Sequence, residues 1–176
     1  IYLYAVQDDY ELVGKAVEHT SAIMALDFSA DGEWIRSNSV GKELFFFSAD
    51  DASHVTVVSN MRDVVWATHT CLYSWAHSGI QRSAYDAEKV CVVTVPPPAL
   101  SQPDPRWMAA GTDAGHIRLC PFPCVVLGSK NANAVNAPPE SHRYPAHCGP
   151  VSALKYAFDQ ERLLTMGQWD RTVVQW

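Results

Sequence analysis

A short β-prone run ending on a bulky residue recurs along the chain. It reads "IYLY" (1 to 4), "LFFF" (44 to 47), "IRLC" (117 to 120) and "VVQW" (173 to 176). β-Branched and aromatic side chains fit a pleated, packed surface, so each run reads as a strand. Turn chemistry precedes the last three, in "NSVGKE", "GTDAGH" and "GQWDRT", where Gly and Asp supply left-handed backbone or side-chain turns. Tyr4 and Phe47 lie 43 residues apart, the length of one four-stranded repeat of roughly 40–45 residues. The next two intervals, Phe47 to Cys120 and Cys120 to Trp176, are 73 and 56 residues. The period returns if "YDAEKVCVVTVPPPALSQPDP" (85 to 105) and "GSKNANAVNAPPESHRYP" (128 to 145) are read as Pro-rich interruptions. Lengthening a loop costs little extra closure entropy, so such insertions leave a repeat core intact.

Order within the repeat supports the period. "EHTSAIMALDFSADGEWIRSNSVGKELFFF" (18 to 47) gives a His, an alternating strand, an Asp-Gly turn, a second strand, a turn and a third strand. "AHCGPVSALKYAFDQERLLTMGQWDRTVVQW" (146 to 176) repeats that order. Ile23, Ala25 and Leu26 take the places of Val151, Ala153 and Leu154; Phe28 matches Tyr156 and Ile35 matches Leu163. Alternation of period two predicts that these face a core; a helix would scatter them. The expected fold is all-β, a partial WD40-type β-propeller of two full four-stranded blades with a partial blade at each end. Residues 1–17 end one blade, 18–58 and 59–145 are full blades, and 146–176 is a partial last blade. Propellers close with about four to eight blades. The remainder of its own propeller is therefore an expected partner, and the chain reads as the C-terminal fragment of a larger ring.

The last repeat carries a polar set. His147 is expected in the loop before the innermost strand, Thr165 on the second strand, Asp170 in the following turn and Trp176 at the end of the third strand. In propellers of this type such residues form a buried hydrogen-bonded network from imidazole to hydroxyl, carboxylate and indole N–H, tolerated because every member is paired. The earlier repeat has His19 and Ser37, but Phe47 stands at the Trp position and Gly41 where the acid belongs. Phenylalanine has no N–H, so a reduced network is expected there.

Composition removes several function classes. The net charge of -6 argues against nucleic acid, whose binders carry a basic surplus. No apolar run approaches the roughly 20 residues of a membrane span. Five scattered cysteines read as reduced thiols and predict a cytoplasmic address. Cys120, Cys124, His142, His147 and Cys148 can be drawn as a zinc site, but small buried thiols and a network histidine explain them, and no metal or cofactor is expected. His69 and Cys71, two apart on an expected strand, merely share a face, without a third group to orient them. Asp8–Asp9 and Asp50–Asp51 suit solvated turns after strands. Trp34, Trp66, Trp75 and Trp107 read as blade-packing residues, whereas Trp169 lies in a rim turn suited to a partner. No catalytic residue is expected.

One stretch is more specific. "SNMRDVVWATHTCLYSWAHSGI" (59 to 80), with "GEWIRSNSVGKELFFF" before it and "MAAGTDAGHIRLCPFPC" after it, resembles the second propeller of the echinoderm microtubule-associated protein-like (EML) family. The resemblance rests on Arg62, Asp63, Trp66, Ala67, Thr68, Thr70 and Cys71, taken as a strand, after Ser37, Asn38 and Ser39. It continues through Gly111, Asp113, Gly115, Pro123 and Cys124 to Gln175 and Trp176. It implies a tandem propeller associated with tubulin, microtubules or other cytoskeletal proteins, in the cytoplasm and cytoskeleton or in a cilium or flagellar axoneme. An acidic segment is not steered toward acidic tubulin, so contact would use local basic positions: Lys42, Arg62, Arg118 or Arg171, beside Trp169. The other reading is an adaptor propeller recruiting a peptide or signalling partner, with no cytoskeletal role.

Overall fold

The computed structural model describes residues 1–80, 88–96, 107–125 and 141–176, in which all regular elements are strands or short 3-10 turns. The chain divides into two units, Ile1–Tyr73 and Ser74–Trp176. Among the described residues no helix is long and apolar enough to cross a membrane.

In the first unit, β1 (Tyr2–Ala5) and β2 (Glu11–Lys15) form an antiparallel hairpin. β3 (Ile23–Phe28), β4 (Trp34–Ser39) and β5 (Leu44–Ser48) form a meander in that spatial order. Alternation explains how β5 is buried on both faces. Phe45 and Phe47 point one way, Phe47 into a core with Ile35, Ala16 and Ala52. Phe46 points the other way, against Met61 and Trp66. A Cβ at Gly14 would sit 2.1 Å from the Asp51 carbonyl oxygen, so only glycine lets β2 approach that backbone.

In the second unit, β6 (Val90–Thr94), β7 (Trp107–Thr112), β8 (His116–Pro121) and β9 (His142–Pro145) make a four-stranded antiparallel sheet in chain order. β10 (Val151–Tyr156), β11 (Leu163–Gly167) and β12 (Val173–Gln175) make a three-stranded one. Ala109 and Ile117 of the first sheet and Val151, Leu154 and Leu163 of the second share one core. Small residues permit the approach: a Cβ at Gly111 would lie 2.6 Å from that of Val151.

All three meanders have the same irregularity. The ladder shifts by one residue between Ile23 and Ala25, between Val90 and Val92, and between Val151 and Ala153. A β-bulge at the start of each innermost strand is the structural mark of the repeat. The fold is an all-β, partial β-propeller.

Four features differ from the sequence expectations. The Arg62–Cys71 stretch is not a strand. It comes after the 3-10 turn Val58–Met61 and touches a ladder only through an isolated bridge from Trp66 to Ser29. Its Thr70 and Cys71 amides go instead to the Asp27 carboxylate. Residues 59–73 also group with the first unit. Second, the interruption drawn over 85–105 contains β6, because Val90-Cys-Val-Val-Thr94 is a β-branched run that ends just before the prolines. Third, the tail of the interruption drawn over 128–145 is β9. The rest of those two stretches lies largely outside the described residues. Fourth, the outer strand expected within 18–58 shrinks to one bridge, Phe47 to His54. Left-handed Ala52 turns the chain back, and among the described residues only Ser53 and Val55 then share backbone hydrogen bonds with β5.

Candidate functional site

The last sheet holds its polar set around β11. His147 Nε2 lies 2.8 Å from the Thr165 hydroxyl, and His147 Nδ1 lies 3.0 Å from Asp170 Oδ2. The Trp176 indole N–H donates to Thr165 Oγ1 at 3.1 Å. One tautomer satisfies the relay: the indole donates to the hydroxyl, the hydroxyl donates to Nε2, and Nδ1–H donates to the carboxylate. Asp170 also accepts the Thr172 and Cys148 amides, each at 3.1 Å. The Thr172 amide leads the interactions that hold its carboxyl at about 2. Gly167 floors the network; a Cβ there would lie 2.0 Å from Asp170 Oδ1 and 2.6 Å from His147 Nδ1.

The corresponding set in the β3–β4–β5 sheet is fuller than the sequence suggests. His19 Nε2 lies 2.7 Å from Ser37 Oγ, and Nδ1 meets Glu43 Oε2 at 3.1 Å. Glu43 also accepts the Ser39 hydroxyl at 2.6 Å and the Thr20 hydroxyl. Those hydroxyls and His19 hold its carboxyl at about 2. Glutamate's longer side chain thus supplies the acid that Gly41 lacks. The signal is present in the sequence, two positions beyond the one where the acid was expected. The indole donor alone is missing, and Phe47 packs in the core instead.

A third network has no counterpart in the sequence reading. Asp27 on β3 and Arg36 on β4 are both buried, at 1% and 3% exposure. Arg36 Nε donates to Asp27 Oδ2 at 2.9 Å. The same carboxylate accepts the Thr68 hydroxyl at 2.6 Å, the Thr70 amide and hydroxyl at 2.9 and 2.7 Å, and the Cys71 amide at 2.9 Å. Arg36 reaches the Thr68 carbonyl at 3.2 Å and lies 4.4 Å over the Trp66 ring. One ion pair therefore pins the whole Trp66–Cys71 loop. Burial works to raise the Asp27 pKa, but Arg36 and the hydrogen bonds outweigh it and the net shift is downward.

Cys71 is fully buried; burial first and Asp27 next push its thiol up, while burial and Arg36 push His69 down to about 4. Both shifts favour neutral groups over a thiolate–imidazolium pair. Cys120 and Cys124 are buried, and the Cys124 thiol and burial raise the pKa of Cys120. His142 packs on Trp107 and Cys148 is exposed. Among the described residues no group of three or more His, Cys, Asp or Glu is placed to hold a metal ion.

Of the expected contact residues, Lys42 and Arg62 belong to the first unit and Arg118, Trp169 and Arg171 to the second. Lys42 and Arg171 occupy left-handed positions at φ 64° and 55° in the turns before β5 and β12. Both are exposed, as is Arg62 after its 3-10 turn. Trp169 is 70% exposed and lies across Gly149, in the same turn as Arg171. Arg118 differs, being paired with Glu88 at 3.3 Å, which also binds Arg143 and His116. Trp66 is buried, whereas Trp75 and Trp107 are 40% and 45% exposed.

The family model described as the echinoderm microtubule-associated protein second β-propeller matches residues 1–176. Echinoderm microtubule-associated protein-like 1 of Rattus norvegicus is 27% identical over 179 residues, covering 100% of this chain and 20% of that protein. The 77 kDa echinoderm microtubule-associated protein of Strongylocentrotus purpuratus is 28% identical, covering 100% and 24%. Echinoderm microtubule-associated protein-like 4 of Homo sapiens is 25% identical, covering 100% and 17%. The chain thus spans about a fifth of the length of the relatives it matches.

Proposed function

Because the chain belongs to the echinoderm microtubule-associated protein family, within its second β-propeller, we propose that it is a non-enzymatic scaffold that binds tubulin, microtubules or axonemal proteins. The match over the whole chain carries this reading, and relatives named for microtubule association support it. The buried networks serve rigidity: fully paired polar groups fix turn geometry, which keeps exposed loops in a constant presentation. Net charge of -6 opposes long-range attraction to an acidic polymer, so contact falls to local turns. Lys42, Arg62 and Arg171 have exposed side chains, and Trp169 adds an apolar anchor beside Arg171. Arg118, already paired with Glu88, contributes least. The expected location is the cytoplasm and cytoskeleton, with a cilium or axoneme as a specialised case.

Co-sedimentation of the intact protein with microtubules at low salt tests the proposal. Pelleting weakened by Arg171→Glu and by added salt is expected. Absence of pelleting would favour an adaptor that recruits a peptide or signalling partner.

A further inference from the structure

A second kind of site lies in the Ser74–Trp176 unit, away from the basic turns. A pocket of about 280 Å³ opens among β8, β9, β10 and β11, beside Trp176 just after β12. Ile117 and Leu163, both buried, line it, and three aromatic side chains share the lining: Tyr144, Tyr156 and Trp176. The Tyr144 and Trp176 rings stand 6.3 Å apart at 51°, forming a corner rather than a stack. Trp176 is fixed in place by its indole bond to Thr165. Among the described residues, Glu161 is the one lining side chain with a charge at neutral pH.

From this lining we infer that the pocket binds a quaternary ammonium group, carried on a trimethylated lysine side chain of a partner protein. Aromatic faces present negative potential to a cation, and rings meeting at an angle can present two faces to one group. The aliphatic side chains accept methyl groups, and Glu161 supplies the matching charge. An unmodified lysine ammonium is strongly hydrated and brings three N–H donors, for which this mostly apolar lining has few acceptors. Methylation removes those donors while keeping the charge. At just under the lower end of the usual small-molecule range of about 300–1,000 Å³, the volume suits one side chain. The inference does not depend on microtubule attachment.

Titration calorimetry on the intact protein tests it with four probes. They are a peptide bearing trimethyllysine, the same peptide with plain lysine, the same peptide with a neutral tert-butyl group in place of the trimethylammonium, and free choline. Binding of the trimethyllysine peptide at least about tenfold tighter than the other three is expected. Glu161→Gln and Tyr144→Leu should each weaken it several-fold without moving the thermal midpoint. Equal binding of the tert-butyl peptide would make the pocket a seat for apolar side chains and overturn cation recognition. Choline binding as tightly as the peptide would assign the pocket to a free small molecule and overturn the partner-protein assignment. No binding of the trimethyllysine peptide, or affinity unchanged in Glu161→Gln, would also refute the inference. Glu161 is exposed, so its variant remains a usable test even if Tyr144→Leu fails to fold.

Discussion

Replacing Asp27 with Asn isolates the ion pair that holds the Trp66–Cys71 loop. The substitution keeps shape and volume but removes the charge opposite Arg36, which is 3% exposed. It also turns one acceptor oxygen into an N–H₂ group facing donors from Arg36, Thr70 and Cys71. Breaking one side of a buried pair costs about 3–5 kcal/mol. For a unit of this size, that corresponds to a fall in Tm of at least about 12 °C. Thermal melts recorded by near-UV circular dichroism would read it, with Trp66 under Arg36 as the reporting ring. The loop should loosen too, so the buried Cys71 thiol should react faster with a maleimide in the variant. A second substitution, Arg36→Met, removes the stranded charge and should restore part of the loss, since an apolar pair of similar volume is tolerated where a lone ion is not. The acid limb provides another check. The folded-state pKa of Asp27 lies below its ordinary value, so its contribution is complete above about pH 4. It is lost as pH falls through the folded-state pKa. Asp27→Asn should flatten part of that acid limb. An unchanged Tm in Asp27→Asn, or a double variant as unstable as the two losses added, would refute the assignment of the loop to this pair.

Gly167→Ala drives a methyl into Asp170 and His147 and should cost about 1–3 kcal/mol as overpacking, measured by urea unfolding. Trp176→Phe keeps most of the ring but loses the indole donation to Thr165, an expected loss of about 1 kcal/mol by the same assay. Glu43 and Asp170 both titrate near 2 in the folded state. Their contributions are therefore present above about pH 4 and disappear toward pH 2. Glu43→Gln and Asp170→Asn should each shift the acid-unfolding midpoint upward while making its pH dependence shallower.

The repeat is legible because alternation and turn chemistry act locally, over a few residues of chain. Strands β3 to β5 and β10 to β12 lie where the runs and turns put them. β6 is hidden because five β-branched or small residues stand almost directly before prolines, and the prolines dominate the local pattern. Glu43 escapes a position-by-position comparison through side-chain length: a carboxylate can reach the same imidazole from a different backbone position. Asp27 leaves almost no local trace. It occupies one place in "ALDF", and its loop partners lie 41 to 44 residues on. A closed account of donors and acceptors requires the folded chain. The Arg62–Cys71 stretch departs from a strand for the same reason, since amides spent on a distant carboxylate cannot also join a ladder.

Met24, Cys91 and Ser152 are the extra residues at the three ladder shifts. Strand side chains alternate by ones, so a single surplus residue acts as a phase adjuster between the segments on its two sides. Removing Ser152 would straighten the ladder and rotate everything upstream by half a cycle, turning His147 away from Thr165. A small flaw in pairing thus keeps loop and sheet in step, and the relay between them exists only while that flaw is kept.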